Sequence, residues 1–180
     1  MFQIKRAFGV YEPNTNPPTQ LTYRADGEQR NQGAEFSMYG QASEHVRLLG
    51  GLTFVDAKYT RTQDGVLQGK EAVGTPRTQG NFNVEWDLPG LEALTLDGRV
   101  IYTSSQYADG ANTVQVDSWS RLDIGARYKS DLGGTKIVYR ARIDNLTDKA
   151  AWVSVGGYPG ANYLVLGAPR TFSLSASLDF

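Results

Sequence analysis

The sequence contains no cysteine and a single histidine, His45, among its 180 residues. Without cysteine it can form no disulfide, thiolate nucleophile, iron–sulfur cluster or cysteine-ligated zinc site. One histidine leaves little scope for general-base chemistry or metal binding. Since no Ser-His-Asp set, paired carboxylates, phosphate-binding loop or metal-ligand cluster stands out, the sequence predicts neither an enzyme nor a resident metal or cofactor.

An excess of charge of one sign and long apolar runs are also missing. The 18 Lys and Arg residues nearly balance the 19 Asp and Glu residues, and the pI is about 5.8. Because a nucleic-acid-binding domain usually carries a basic face, no nucleic-acid partner is expected. No segment approaches the 18 or more apolar residues of a transmembrane helix. Membrane β-strands remain compatible with the mean hydropathy of −0.41, because alternating strands average to ordinary values.

The sequence does have apolar and polar residues that alternate with a period of two. Residues 171–180 show it most clearly, and a strict alternation over this length predicts a β-strand with one apolar and one polar face. The fold class predicted is all-β, with about eight antiparallel up-and-down strands and no helix. Residues 47–60 are also extended, but their apolar residues fall on both parities, and a bulge near Val55 would explain this. The other predicted strands include 2–10, a strand before Gln29, 33–39, 81–86, 94–103, 119–129 and 136–144.

The connections between these strands alternate between short and long. Short turns are predicted at 41–45, 87–93 and 130–135, and long polar loops at 11–19, 61–75, 106–118 and 154–162. Short turns on one rim and long loops on the other are typical of an outer-membrane barrel. Charged residues also lie mid-strand on the polar faces, which suits a lipid-embedded wall around a wet lumen. A soluble sheet would turn the same faces the other way, and alternation alone does not separate the two.

Several segments resemble the TonB-dependent outer-membrane receptors. Residues 27–35, GEQRNQGAE, are similar to a "GxxRxxGxE" strand of that family. Order and spacing match over nearly the whole chain, which therefore resembles the C-terminal part of a siderophore receptor of the ferrichrome or hydroxamate type. The other segments that carry the resemblance are 57–60, 73–77, 85–87, 142–149, 167–171 and the terminal Phe180.

The resemblance implies that residues 1–180 form part of a 22-stranded transmembrane barrel whose plug domain lies outside this chain. It implies a receptor of the bacterial outer membrane for a ferric siderophore, energised by the TonB complex through the missing N-terminal part. Transport by the chain alone is not expected. The substrate would arrive already chelated, so no protein metal ligand or cofactor is expected. Lipid and the barrel assembly machinery are the other implied partners, and the terminal residues that resemble the assembly signal are Phe172, Leu174, Ala176, Leu178 and Phe180.

Two groups of residues are candidates for ligand binding. The aromatic residues near the long loops either contact the siderophore or form the aromatic girdle that anchors barrels at the membrane interface. The arginines either attract an anionic chelate or pair with Asp97, Asp123 and Asp144. The candidates are Tyr107, Trp119, Trp152, Tyr158, Arg99, Arg121 and Arg142.

Two alternatives to a receptor fragment stay open from the residues alone. Eight strands are enough to close a complete small barrel with an adhesive or structural role. A soluble all-β binding module would instead pack the apolar faces together in a dry core. The two alternatives predict a closed sheet and a buried apolar face respectively.

Overall fold

The computed structural model describes residues 1–13, 21–62, 65–158 and 161–179, and side chains at positions 1–9, 23–62, 65–156 and 163–178. Within these ranges the regular structure is β-strand, as the alternation predicts. No helix among the described residues is long and apolar enough to cross a membrane. The strands are β1 (Phe2–Pro13), β2 (Leu21–Ser43), β3 (Val46–Arg61), β4 (Thr78–Asp87), β5 (Leu94–Thr103), β6 (Gln106–Tyr107), β7 (Gln115–Val116), β8 (Trp119–Leu132), β9 (Thr135–Asp144), β10 (Trp152–Tyr158), β11 (Ala161–Leu166) and β12 (Thr171–Asp179).

Eight of these strands form one antiparallel sheet in the order β1-β2-β3-β4-β5-β8-β9-β12. Each strand pairs with its neighbour along the chain, so the predicted all-β, up-and-down architecture is confirmed. The remaining strands form two small antiparallel pairs, β6 with β7 and β10 with β11, inside the long connections. The long loop predicted at 154–162 is therefore partly wrong. Its flanks are rich in the β-branched and aromatic residues that favour strands, among them Val155 and Tyr163, and these residues pair as a hairpin.

The eight-stranded sheet is open rather than closed. β1 pairs with β2 and β12 pairs with β9. Among the described residues no ladder joins β1 to β12, so both strands present an unpaired edge. The open sheet goes against the alternative of a complete eight-stranded barrel, because a closed barrel leaves no edge.

The two ends of the sheet differ as predicted. At one end the connections are short: Glu44 and His45 join β2 to β3, residues 88–93 join β4 to β5, and Gly133-Gly134 joins β8 to β9. The two glycines have φ values of 63° and 91°, which a two-residue hairpin of this kind requires. We call this the turn end. The long connections lie at the opposite, loop end. Of the predicted loop 11–19, residues 11–13 belong to β1 and residues 14–19 lie outside the described residues.

The apolar residues of β3 change face without a bulge at Val55, and that prediction was wrong. The register with β2 runs unbroken from Gln29↔Tyr59 to Gln41↔Arg47, and the irregularities lie beyond both ends of this run. From Val46 to Phe54 the apolar residues except Leu49 share one face of the sheet, whereas Val55, Ala57 and Tyr59 lie on the other face with Leu49. The alternation of side chains between the two faces continues past Val55 without a bulge, and only the polarity of the residues on each face changes. Beyond Phe54 the first face becomes polar, with Asp56, Lys58 and Thr60.

This change of face creates the hydrophobic core. Ala57 and Tyr59 are buried together with Ala72 from the β3–β4 connection, and Phe8 of β1 stacks on Tyr59 with ring centroids 4.3 Å apart. The cluster lies at the loop end of the sheet. Along the rest of the sheet most of the large apolar side chains are exposed on one face, which we call the outer face. It carries Phe36, Leu52, Phe82, Trp86, Leu96, Val100, Tyr102, Ile124, Tyr128, Tyr139, Phe172, Leu174 and Leu178.

The exposed outer face decides between the remaining alternatives. Ile124, Phe172 and Leu174 have exposed fractions of 38%, 71% and 86%. A soluble sandwich would bury these residues against a second layer. The buried side chains of the described residues include six polar or charged ones and four hydrophobic ones, which is the opposite balance to that of a soluble core.

Candidate functional site

The opposite, inner face of the sheet collects the mid-strand charges. Because strand residues alternate between faces, Arg99 of β5 and Asp123 of β8, which are directly paired, share this face. Asn83 and Leu49 continue the same row across β4 and β3. The inner face is therefore a polar wall, and the predicted sorting of apolar and ionic side chains onto opposite faces is observed.

The three predicted arginines meet at one carboxylate. Arg99 donates to Asp123 through Nη2 at 2.7 Å, and Arg121 donates to it at 3.0 Å. Arg142 Nη2 lies 3.6 Å from the same carboxylate. Asp123 is completely buried, and its other oxygen accepts the backbone N–H of Asn145 at 2.8 Å. One aspartate thus holds three arginines and the end of β9.

Two further aspartates neutralise this cluster. Arg142 donates to Asp144 at 2.9 Å and to Asp97 at 3.1 Å. Three arginines and three aspartates give the cluster no formal charge excess. The pairing hypothesis therefore describes the contacts observed, and ligand binding by Arg99, Arg121 and Arg142 stays a prediction.

A second ionic cluster lies nearer the turn end of the inner face. Arg47 makes a bidentate contact with Asp87 at 2.5 and 2.9 Å and also donates to Glu85 at 3.0 Å. Arg127 donates to Glu85 at 3.4 Å, and Thr95 donates to Asp87 at 2.6 Å. These contacts join β3, β4, β5 and β8 across the inner face, so the strands are linked by side chains as well as by backbone.

Uncharged hydrogen-bonding groups without a described partner lie on the inner face of β4. Gln79, Asn81 and Asn83 project from alternate positions, and among the described residues no hydrogen bond to their side chains is present. They border a recess of about 660 Å³ that also includes Arg99 and Ile101. Sequence reasoning missed these amides because it weighed charges and aromatic residues. The signal was present in the alternation of 79–83 with Gly80 and Phe82.

The loop end carries a cluster formed by the β3–β4 and β5–β8 connections. Residues 69–72 run along β3, with Tyr59 N donating to Lys70 O at 3.0 Å and Ala72 N to Ala57 O at 2.9 Å. Gly74 N donates to Tyr107 O at 2.9 Å and so joins the two connections. We call residues 65–77 loop A and residues 104–118 loop B.

Loop B is stabilised by an aspartate cap. The Asp109 carboxylate accepts the backbone N–H of Val114 at 2.7 Å and contacts both the N–H and the hydroxyl of Thr113. Hydrogen bonds from Val114 and Thr113 hold the pKa of the Asp109 carboxyl below its usual value. Loop B is therefore most stable when Asp109 is ionised.

The four predicted aromatic residues lie at the loop end but not in one site. Tyr107 is half-buried in loop B, and Trp152 is exposed on β10. Trp119 begins β8 opposite Thr103 on the inner face, so it does not lie on the outer face where an interfacial girdle would be. The Trp119 Nε1 is buried without a partner among the described residues. Tyr158 ends β10, and its side chain is outside the described residues.

The terminal strand presents its apolar residues as predicted from their alternation. Phe172 pairs with Ile143 and Leu178 with Ile137, both on the outer face. Leu174 and Ala176 lie on the same face, and Phe180 is outside the described residues. Their role as an assembly signal stays a prediction. In the described part of the chain no group of three or more His, Asp or Glu side chains is placed to hold a metal ion.

Comparison with known proteins matches residues 5–146 to a family model described as TonB dependent receptor-like, beta-barrel. This chain belongs to the TonB-dependent receptor β-barrel family. It is 39% identical to the ferrichrome receptor FcuA of Yersinia enterocolitica over 180 residues, which are 100% of this chain and 23% of that protein. It is also 30% identical to the ferrioxamine B receptor of Salmonella typhimurium over 161 residues, 88% of this chain and 22% of that receptor.

Solved structures agree with the family. The crystal structure of BauA, the ferric preacinetobactin receptor of Acinetobacter baumannii, matches with a TM-score of 0.84 at 39% identity, over 99% of this chain and 26% of that one. The chain thus spans about a quarter of the length of the receptors it matches. Members of the TonB-dependent receptor family are outer-membrane proteins of Gram-negative bacteria, and the relatives named here are receptors rather than enzymes.

Proposed function

We propose that this chain forms part of the barrel wall of an outer-membrane receptor that takes up a ferric siderophore and is energised by TonB. The observation that carries the proposal is the exposed apolar outer face, opposite an inner face on which Arg99, Arg121 and Arg142 are paired with aspartates. The open edges of β1 and β12 suit a wall segment whose neighbouring strands lie elsewhere in the receptor. The role proposed is transport, without enzymatic activity and without a protein-bound cofactor.

Aromatic residues on the outer face support a membrane position. Trp86, Tyr128 and Tyr139 lie towards the turn end. A second set lies towards the loop end, so the apolar band is flanked by aromatic residues on both sides, as membrane barrels are at their two interfaces. The loop-end set is Phe54, Tyr102 and Phe172.

The orientation proposed places the turn end in the periplasm and the loop end outside the cell. Membrane barrels keep short periplasmic turns and longer extracellular loops. Loops A and B and the β10–β11 hairpin then lie where a chelate arrives. The change of face in β3 marks the level at which the strands leave the lipid, because Asp56, Lys58 and Thr60 on the outer face would be costly in hydrocarbon.

The substrate proposed is a ferric siderophore of the hydroxamate type, because the ferrichrome and ferrioxamine B receptors are among the relatives. The self-neutralised arginine cluster offers no excess charge to an anionic chelate. The free amides of Gln79, Asn81 and Asn83 offer both donors and acceptors, which suits a chelate rich in amide and hydroxamate groups. TonB, membrane lipid and the barrel assembly machinery are proposed as partners of the receptor that contains this segment.

A chimeric receptor tests the proposal. The matching segment of Yersinia FcuA is replaced by residues 1–180, and uptake of iron from ferric ferrichrome and ferrioxamine B is measured in iron-limited cells that lack their own receptor. We expect the chimera to reach the outer membrane and to support TonB-dependent uptake. FcuA with the segment deleted is the negative control. A chimera that is assembled at the cell surface yet takes up neither chelate would contradict the proposed substrate class.

A further inference from the structure

The Asn112 side chain of loop B makes a paired contact with the backbone of loop A. Its Oδ1 accepts the backbone N–H of Glu71 at 2.7 Å, and its Nδ2 donates to the Glu71 carbonyl at 3.0 Å. A carboxamide offers the same donor and acceptor as a peptide group. The Asn112 side chain therefore makes with Glu71 the two-bond exchange that a neighbouring strand would make.

The position of Glu71 explains why this exchange is possible. Glu71 forms an isolated antiparallel bridge with Lys58, and the bonds of that bridge run from Tyr59 N to Lys70 O and from Ala72 N to Ala57 O. The N–H and C=O of Glu71 consequently point away from β3. Asn112 extends the ladder by one side chain, from β3 through loop A to loop B.

Loop B is shaped to present this side chain. Asn112 has a φ of 60°, a left-handed conformation that asparagine tolerates better than most residues. Its backbone N–H donates to Asp109 O at 3.2 Å, and its Nδ2 also donates to that carbonyl at 3.3 Å. The turn that carries Asn112 is thus fixed by Asp109, which also caps Thr113 and Val114.

Further contacts join the same loops away from Asn112. Gly74 N donates to Tyr107 O, and Leu67 of loop A approaches Gly110 of loop B so closely that a Cβ there would lie 3.1 Å from a leucine methyl. Gly74, at φ 67°, also lies against the β10–β11 hairpin, where a Cβ would be 2.7 Å from Val155 O. The contacts are spread over both loops.

We infer that Asn112 is a positioning residue that couples loops A and B, so that the two open and close as one body. Its bearing on uptake rests on the proposed function, because these loops would then form one rigid part of the extracellular mouth. The coupling itself needs no ligand. Coupling predicts that removing the Asn112 carboxamide also raises the opening frequency of the Gly74 N–H, although Asn112 does not contact Gly74.

Amide hydrogen exchange of the full 180-residue chain in detergent micelles tests the coupling. Asn112→Gly removes the carboxamide while keeping a residue suited to positive φ. We expect exchange at the Gly74 N–H to accelerate about tenfold, which corresponds to about 1.4 kcal/mol, because the two hydrogen bonds between Asn112 and Glu71 are lost. Ala111→Gly is the matched control, because it adds the same flexibility next door and leaves the amide in place.

The outcomes are distinct. If Asn112→Gly accelerates exchange at Glu71 alone and leaves Gly74 unchanged, the loops move independently and the inference is wrong. Protection in β8 and β9 reports whether the variant is folded. If the variant is not folded, exchange is measured on the unsubstituted chain instead. Coupled loops then give the Glu71 and Gly74 amides the same opening free energy and the same denaturant dependence. Different values for the two amides would overturn the coupling, whatever the chimera shows about siderophores.

Discussion

At the residue scale, Asp123 has the greatest influence on the inner face. It is fully buried and holds two arginines by hydrogen bonds, a third at 3.6 Å and the backbone of Asn145. A buried carboxylate is costly unless it is fully paired, and here every contact compensates part of that cost. Asp123 also connects the inner wall to the β9–β12 connection, where the Asn145 side chain binds Lys149 and Ala168 carbonyls.

Replacing Asp123 by asparagine is expected to lower the free energy of unfolding by about 1.5–3 kcal/mol, because three half-buried arginines lose the charge of their shared, fully buried partner. The measurement is urea unfolding of the chain in detergent micelles. Asp26→Asn is the matched control, since Asp26 and its partner Arg24 are both 59% exposed, and such pairs contribute about 1 kcal/mol or less. Equal effects of the two substitutions would show that the buried cluster adds nothing beyond a surface pair.

Asp109 predicts an acid-sensitive loop B. Its folded-state pKa is lowered, so the stability it contributes is present above its unfolded pKa of about 4 and is lost as pH falls through the lower folded value. We expect NMR signals of Thr113 and Val114 to shift on acidification below about pH 4, with loosening of the turn. Asp109→Asn should remove this titration and leave the turn weaker at neutral pH. An unchanged acid transition in that variant would assign the effect to another group.

At the element scale, the proposed function directs the outer face of each strand to lipid and the inner face to the lumen, and β4 offers adjacent residues that test this assignment. Phe82 lies on the outer face and Asn81 on the inner face. Phe82→Arg is expected to cost about 2–4 kcal/mol in a bilayer, as cations do near the midplane of a barrel wall. Asn81→Arg should cost far less, because the proposed position of the inner face is beside water in the lumen. Unfolding measured in lipid vesicles checks the pair, and a reversed order would place the lipid on the other side.

The strands could be predicted from the sequence more fully than the contacts between loops. The alternation of residues 94–103, 119–129 and 136–144 fixes their faces, because a period of two leaves a single way to sort apolar from polar residues. The faces of β3 could not be assigned in this way, because the apolar residues move from one face to the other near Val55. Periodicity alone does not report what lies beside each face. Asn112 escaped it because its partner, Glu71, is 41 residues away and the contact depends on loop geometry.

At the scale of the whole molecule, the sheet has two features that an isolated water-soluble domain avoids. One is a contiguous apolar outer face, and the other is a pair of edges, on β1 and β12, that no described strand pairs with. Exposed apolar patches and free strand edges both promote association. In the proposed receptor, lipid would cover the apolar outer face, and neighbouring strands would pair with the edges of β1 and β12.

These two features predict different responses to detergent. Without detergent the chain is expected to form large assemblies through the outer face. Micelles cover the apolar face but supply no strand partner, so we expect the assemblies to dissolve into small species in which edges still pair, such as dimers whose proportion rises with protein concentration. Analytical ultracentrifugation with and without detergent measures both effects. A chain that stays monomeric without detergent would mean that the outer face is covered by protein, and the membrane assignment would then be wrong.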